Sequence, residues 1–234
     1  MTDEDYLEAQ RKAIAESVDF FRSEKKSERE RWVVNEFLMN LGFCFTEREV
    51  RSVRQDPPDV QFRDAAFEIK EILTEGRRRH QEYKENLDKA VRATKPSDLL
   101  EDFTPRDTTI SDVYVRILKE ATTLANEKYP LTVRKELDLL FYVNLNDVFG
   151  LIETPFPDTA SLTSLNWRSV SFLMGYRSCT LVAEEHAPNF IKDARGFIIH
   201  RGQGKSAKID IWKILILFLV GGGILGIFYW LIAT

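Results

Sequence analysis

The chain has 234 residues, of which 44% are hydrophobic and 30% are charged, and this composition predicts one substantial globular domain. Its formal net charge is −4, so bulk charge gives no support to a nucleic-acid partner, which would need a local basic patch. Cys44 and Cys179 lack CxxC spacing, which argues against a zinc site or a disulfide framework and predicts two reduced thiols. The acidic first residues, MTDEDYLEAQ, are not those of a secretory signal.

The first hundred residues predict three helices, a strand region and a hairpin. We expect helices over residues 1–22 and 27–41, with Ser27 and Glu30 in the spacing of a capping box and Gly42 ending the second helix. Residues 43–54 predict a strand or a strand pair. Residues 60–62 and 65–73 predict two strands joined by a turn at 63–64. A charged helix is expected over residues 75–95.

The second half of the chain predicts further strands around one more helix. Residues 96–112 contain two prolines and are expected to form a loop, and a helix is expected over residues 112–128. LDLLFYVNL, residues 137–145, is a continuous apolar run typical of a strand buried on both faces. Residues 169–185 predict one or two strands, and residues 194–208 a short strand or turn. This order predicts an α/β domain with a mixed sheet.

An uncharged segment, ILILFLVGGGILGIFYWLIA, occupies residues 214–233. About 20 apolar residues can cross the ~30 Å hydrocarbon core of a bilayer. Because lysines and arginines precede it, we expect a single-pass C-terminal transmembrane helix with the bulk of the chain in the cytoplasm; the alternative is a buried core helix. Gly222 and Gly226 form a GxxxG pattern that would permit a homodimer. The predicted divisions are a domain at 1–200, a basic linker at 201–213 and a membrane anchor at 214–233.

The predicted hairpin, DPPDVQFRDAAFEIKEI at residues 56–72, carries unexpected charge. Residues i and i+2 share one face of a strand, so Glu68 and Lys70 point the same way, and the hairpin can bring Asp59 opposite them. Two carboxylates beside an ammonium are suited to Mg²⁺ or Mn²⁺ and to the activation of water. Asp56 and Asp64 compete with Asp59 for this role, and the alternative is a solvent-facing hairpin with a surface ion pair.

Pro58-Asp59 followed by Glu68-Ile69-Lys70 resembles the PD-(D/E)xK motif of the restriction-endonuclease-like nuclease superfamily, and the chain is similar to an uncharacterised bacterial family of candidate endonucleases. The resemblance implies an αβββαβ core at about residues 28–145, with extra strands at about 165–200. It implies that Asp59, Glu68 and the Ile69 carbonyl bind the metal, and that Lys70 is the catalytic lysine. It also suggests Glu36, on the first core helix, as a further acidic catalytic residue.

The helix after the motif carries a local basic patch. Residues 77–95 contain seven lysines and arginines against three acidic residues, which gives a charge of +4. We expect contacts with nucleic-acid phosphates here, and the candidates are Arg77, Arg78, His80, Gln81 and Lys84. The alternative is a solvated helix with charge pairs at i,i+4 spacing.

These observations favour a membrane-tethered, Mg²⁺-dependent endonuclease that acts on nucleic acid, with DNA as the expected substrate. A second hypothesis is a nuclease-like fold without catalysis that serves as a membrane-anchored nucleic-acid or protein-binding module. A third is a membrane-anchored interaction protein. A structure in which Asp59 and Glu68 point apart would favour the second or the third hypothesis over the first.

Overall fold

The computed structural model describes residues 2–77, 79–100 and 104–202, with the backbone alone at residues 79 and 80. The α-helices in these ranges are α1 (Asp3–Phe20), α2 (Lys26–Asn40), α3 (Arg79–Arg92), α4 (Ile110–Glu127), α5 (Leu131–Arg134), α6 (Ala160–Thr163) and α7 (Asn189–Lys192). The strands are β1 (Val50–Ser52), β2 (Val60–Phe62), β3 (Ala65–Leu73), β4 (Arg106–Thr109), β5 (Asp138–Asn144), β6 (Val148–Ile152), β7 (Ser169–Met174), β8 (Arg177–Ala183) and β9 (Ile199–His200). The chain is thus a mixed α/β protein, as predicted.

The main sheet has seven strands in the order β1-β2-β3-β5-β7-β8-β9. Its central strands β3, β5 and β7 are parallel, whereas the β1-β2-β3 and β7-β8-β9 pairings at its two sides are antiparallel. The parallel centre follows from the helical connections between β3 and β5, because parallel neighbours need a long crossover. This confirms the prediction of a mixed central sheet. A second sheet pairs β4 with β6 in parallel.

Helices cover both faces of the main sheet. On one face, Val34, Phe37 and Leu38 of α2 pack against Phe67 of β3 and Leu140 of β5 in one hydrophobic cluster. On the other face, the cluster that contains α4 also contains alternate residues of the same strands. Consecutive residues of β5 therefore belong to different clusters, and the strand is buried on both sides as its apolar run predicts.

The hairpin prediction is confirmed in bounds and register. Val60 lies opposite Phe67 and Phe62 opposite Ala65, and the turn contains Arg63 with φ of 51°. The same turn packs the Arg63 guanidinium over the Phe62 ring, 4.9 Å from its centroid. The hairpin turn is therefore packed by its own side chains. Strand β3 is longer than β2 and pairs with β5 on its other side.

Four segments differ from the prediction. Residues 43–54 yield only the short β1, because the Thr46 backbone N–H donates to the Glu49 side chain and the chain turns through a short 3₁₀ helix. The predicted loop at 96–112 contains β4, and β6 was not predicted. The second helix begins at Lys26, directly after another 3₁₀ turn, so the Ser27 capping box does not form.

No helix in the part of the chain that the structure describes is long and apolar enough to cross a membrane. The predicted anchor at 214–233, including Gly222 and Gly226, lies outside the described residues, as does most of the linker at 201–213. Both cysteines are free thiols, as predicted.

Asp138 joins the starts of the three central strands. Its carboxylate is 1% exposed and accepts hydrogen bonds from the Ala66 N–H, at 2.9 Å, and from the Ser169 hydroxyl, at 2.7 Å. The Arg168 guanidinium donates twice to the same carboxylate. Because Arg168 is also buried, each of these two charges depends on the other for a partner.

We expect the Asp138→Ala variant to lose about 3–5 kcal/mol of the free energy of unfolding, because it leaves the Arg168 charge buried without its carboxylate. Urea titration followed by circular dichroism measures this loss. Asp193→Ala, at an exposed position, is the matched control and is expected to change stability by no more than about 0.5 kcal/mol. Equal losses in the two variants would contradict the role assigned to Asp138.

Candidate active site

The candidate site lies where β2 begins, beside the middle of β3. The chain reaches β2 through two successive cis peptide bonds, Asp56–Pro57 and Pro57–Pro58. Asp59 follows, and its Oδ2 accepts a hydrogen bond from the Ile69 N–H at 3.0 Å. The N–H and C=O of one strand residue point to the same side of the strand. The Ile69 carbonyl is therefore directed to the edge where Asp59 lies.

Three carboxylates converge at this edge. One oxygen atom each from Asp56, Asp59 and Glu68 lies within 4.8 Å of the others. Glu68 is 0% exposed and Asp59 is 7% exposed, whereas Asp56 is exposed. The interpretation of the hairpin as a solvent-facing surface is therefore wrong, and the predicted convergence of Asp59 with Glu68 is confirmed.

The Glu68 carboxylate is held by donors from two parts of the chain. Lys70 Nζ and the Tyr129 hydroxyl each donate to Glu68 Oε1 at 2.5 Å. Lys128 Nζ lies 3.5 Å from the same oxygen and 3.8 Å from Asp56 Oδ2. The other oxygen, Glu68 Oε2, is buried and has no hydrogen-bond partner among the described residues.

Tyr129 stays a hydrogen-bond donor under ordinary conditions. Its ring is 3% exposed and packs edge-on against Trp167, with ring centroids 5.7 Å apart. Burial raises the pKa of the Tyr129 hydroxyl, and the hydrogen bond to Glu68 raises it further. The phenol is therefore protonated at neutral pH and orients one oxygen of Glu68.

A second ion cluster, from α2, borders Asp59. Lys26 Nζ lies 3.2 Å from Asp59 Oδ1 and 2.9 Å from Glu30 Oε1. Burial raises the pKa of Glu30; the Lys26 hydrogen bond opposes this shift and the Asp59 charge adds to it. The hydrogen bond to Glu30 raises the pKa of Lys26, and the Asp59 charge also contributes. Lys26 is accordingly a fixed positive charge at the border of the site.

Glu36 lies elsewhere on α2. It is 2% exposed and forms an ion pair with Arg201, which also donates to the Asn40 side chain at 2.9 Å. Six residues separate Glu36 from Glu30, which places it about 9 Å further along the helix. Arg201 supplies the partner that this buried glutamate needs. The structure therefore does not bring Glu36 into the cluster of Asp56, Asp59 and Glu68.

The residues of the basic patch have different environments. The Arg77 guanidinium is largely buried and donates to both Glu82 oxygens and to Asn144, so it fastens the start of α3 to β5 rather than lying open to a phosphate. Gln81 and Lys84 are exposed, and Gln81 donates to Glu85 one turn away at 2.8 Å. Arg78 and the His80 side chain lie outside the described residues.

Sequence reasoning missed four residues of this site: Lys26, Glu30, Lys128 and Tyr129. The helical phase of α2, once its start at Lys26 is known, places Lys26 and Glu30 on one side of the helix. Lys128 and Tyr129 are about 60 residues from Glu68, and no local pattern marks them. Asp56 was considered only as a competitor of Asp59, whereas the structure places both at the site.

The residues present fit a hard divalent cation. Mg²⁺ and Mn²⁺ prefer carboxylate and carbonyl oxygens, and the site offers three carboxylates and the edge of the Ile69 backbone. The buried Glu68 Oε2 atom, which lacks a donor in the described chain, is the kind of oxygen that a cation would satisfy. Asp56, Asp59 and Glu68 are thus the residues that could hold the ion.

Comparison with known proteins identifies the family. The chain belongs to the family described as "Putative endonuclease, protein of unknown function (DUF1780)", which matches residues 2–206. This membership supports a nuclease function at a coarse level. A solved structure of a protein of unknown function from Pseudomonas aeruginosa strain PAO1, described as belonging to the monooxygenase superfamily, is similar with a TM-score of 0.60. It is 25% identical, and the match covers 86% of this chain and 96% of that chain. No curated protein matches the chain.

We expect Tyr129→Phe to lower the free energy of unfolding by roughly 1–3 kcal/mol, because it removes a donor from a buried carboxylate. Thermal and urea unfolding measure the change. The control is Tyr6→Phe, which removes the same atom from a tyrosine on α1, and its effect is expected to stay within about 0.5 kcal/mol. A Tyr129→Phe variant as stable as the wild type would show that the hydroxyl is not needed to support Glu68.

Proposed function

We propose that this protein is a Mg²⁺-dependent endonuclease of the PD-(D/E)xK type that hydrolyses phosphodiester bonds of DNA. One observation carries the proposal. Asp56, Asp59 and the fully buried Glu68 converge, one Glu68 oxygen has no donor in the described chain, and Lys70 binds the other. A solvent-facing ion pair gives no reason to bury a carboxylate in this way, whereas a metal site does.

The order of elements supports assignment to the restriction-endonuclease-like fold. Helix α2 is followed by the antiparallel strands β1, β2 and β3, then by the helical connection, and then by β5 parallel to β3. This is the αβββαβ order that the motif implies. Asp59 lies directly before β2, and Glu68 and Lys70 lie on β3, which supports the proposed assignment of the motif.

Each polar group of the site has a separate task in the proposed reaction. Asp56, Asp59, Glu68 and the Ile69 carbonyl would hold the ion. When bound, Mg²⁺ polarises the phosphoryl oxygen and lowers the pKa of a bound water. Tyr129 fixes the orientation of Glu68. Lys70 is held beside Glu68, where its ammonium can orient the attacking water and stabilise negative charge that develops on the phosphate.

Substrate binding is proposed to use the basic patch on α3 together with the lysines around the site. Lys84 and Gln81 are exposed on α3, and Lys128 is 45% exposed at its side chain beside Glu68. Ammonium groups that reach solvent can contact phosphates as point charges. Arg78 and His80 remain candidates for the same role. Arg77 is not included, because its guanidinium is already bonded to Glu82 and Asn144.

We further propose that residues 214–233 tether this enzyme to a membrane, with the domain on the cytoplasmic side. The uncharged segment and the preceding lysines and arginines support this location. A homodimer through Gly222 and Gly226 would follow from close pairing of two such helices. Separation of membrane and soluble fractions, followed by alkaline washing, distinguishes an integral anchor from a peripheral one.

A second candidate function is a catalytically inactive module that binds nucleic acid. The observation in its favour is that Lys26 and Lys128 already neutralise the site: the first contacts Asp59 and Glu30, and the second lies near Glu68 and Asp56. Such a site would bind no Mg²⁺, and its binding of DNA would depend on salt through the basic patch.

We expect Asp59→Asn and Glu68→Gln to remove Mg²⁺ or Mn²⁺ binding and to lower DNA cleavage by at least roughly a hundredfold, as loss of one preorganised charge does in other enzymes. Lys70→Met is expected to lower cleavage similarly while it keeps the ion bound, because the ligands remain. Calorimetry measures the ion, and a gel assay on plasmid and linear DNA measures cleavage.

Asp64→Asn is the matched control, because Asp64 is an exposed aspartate in the turn of the same hairpin. It should bind the ion and cleave DNA like the wild type. Cleavage by Glu68→Gln at the wild-type rate would refute the proposed site. Absence of ion binding by the wild type, with salt-sensitive DNA binding retained, would favour the inactive module.

A further inference from the structure

A partly open cavity lies next to the candidate site on the α2 face of the sheet. Its volume is about 180 Å³. The ends of α1 and α2 form one side, and β3 and β5 form the other. Its charged lining residues are Lys26, Arg29, Glu30 and Glu71, and its aromatic lining residues include Phe20, Trp32 and Tyr142.

The walls of this cavity are aromatic and held in place. The Trp32 ring packs edge-on against Tyr142, with centroids 5.5 Å apart, and against Phe20, with centroids 6.1 Å apart. All three side chains are only half buried although they belong to the packed clusters of the protein. They therefore present rigid aromatic surface to anything that enters, at little cost in side-chain entropy.

The cavity also offers a carboxylate on its sheet side. Glu71 lies two residues after Ile69 on the same face of β3, and it is paired in register with Tyr142 of β5. The Glu71 Oε1 atom accepts a hydrogen bond from the Asn144 amide at 3.3 Å, which orients the group. Glu71 also has another contact within the protein. A carboxylate has two oxygens and about four acceptor positions, so an amino group of a ligand would share the carboxylate with these partners.

Two residues connect this cavity to the candidate active site. Lys26 lines the cavity and its Nζ lies 3.2 Å from Asp59 Oδ1. Ile69 lines the cavity and its N–H donates to Asp59 Oδ2. The cavity therefore adjoins the site through Asp59.

We propose that this cavity binds one unpaired nucleobase of the substrate, next to the bond that is cut, and that Glu71 selects bases with an exocyclic amino group. The inference rests on the proposed nuclease function and names its substrate class. Aromatic faces stack on any base, and a carboxylate accepts a hydrogen bond from the cytosine N4 amino group, which uracil replaces with a carbonyl. Lys26 stands where the sugar-phosphate chain passes from the cavity to Asp59.

The position of the cavity restricts the strandedness of the substrate. A base in an intact duplex is stacked between neighbours and paired on its hydrogen-bonding edge. To reach Trp32 and Glu71, a base must leave the stack. The proposed substrate is therefore single-stranded DNA, or a nucleotide in a gap, loop or frayed end, in preference to an intact duplex.

The test measures binding separately from cleavage. Fluorescence anisotropy records the affinity of the full-length chain for short deoxycytidine and deoxyuridine oligonucleotides of equal length, in a chelator that prevents metal-dependent hydrolysis. Because the two sugar-phosphate backbones are identical, phosphate contacts cancel in the ratio of the two dissociation constants. We expect deoxycytidine to bind roughly tenfold tighter, as for a hydrogen bond to a charged group, and a duplex of equal length to bind more weakly than either.

Glu71→Gln should reduce this preference to less than roughly threefold. The side-chain amide can accept a hydrogen bond from the cytosine amino group or donate one to the uracil carbonyl. Trp32→Leu should weaken both oligonucleotides by roughly tenfold through lost stacking, while Trp32→Phe keeps most of the affinity. Glu75→Gln, at an exposed glutamate beyond β3, is the matched control and should behave like the wild type. Circular dichroism of each variant checks the fold.

Equal affinity for the two oligonucleotides, or a preference that Glu71→Gln leaves unchanged, would overturn the assignment of the cavity. Duplex binding as tight as single-strand binding would overturn the restriction to unpaired bases. Cleavage of the same oligonucleotides in Mg²⁺ is scored in parallel. Cleavage without base preference would retain the nuclease and reject the cavity, whereas base preference without cleavage would reject the nuclease and retain a base-binding site.

Discussion

The burial of one carboxylate, that of Glu68, is the constraint on which the candidate site depends. Removing an unpaired carboxylate from water costs several kcal/mol, so the fold must bring donors to it. Lys70 comes from the same strand, whereas Tyr129 and Lys128 come from the end of α4. The contacts that offset the cost of burying the Glu68 carboxylate also fix the end of α4 against the sheet. Stability and the geometry of the site therefore share one set of interactions.

The parts of the fold that follow local patterns were predictable. The β2-β3 hairpin has two-residue alternation around a turn, and β5 is a continuous apolar run, so their bounds follow closely from the residues alone. By contrast, Arg106–Thr109 has no apolar alternation and becomes β4 because a distant strand, β6, pairs with it. Residues 43–49 have the composition of a strand, but the Thr46–Glu49 hydrogen bonds fold Glu47–Glu49 into a 3₁₀ helix.

The same distinction applies to the site. Asp59, Glu68 and Lys70 could be predicted together because strand geometry relates them at short range. Tyr129 could not, because 61 residues separate it from Glu68 and only the packing of α4 joins them. Glu36, which the resemblance suggested, lies apart from these residues. Its partner is Arg201, 165 residues later in the chain, and Glu30 borders Asp59 through Lys26 instead.

Arg201 also anchors the end of the main sheet. Strand β9 has only two residues, so its own backbone pairing with β8 is short. Arg201 follows it and binds Glu36 and Asn40 of α2, and Asn40 in turn donates to the Gly175 carbonyl and the Ser178 hydroxyl. Arg201 therefore ties the residue after β9 to a helix and, through Asn40, to the turn between β7 and β8. That helix is the one whose first turns hold Lys26 and Glu30, so the last strand and the border of the site share one support.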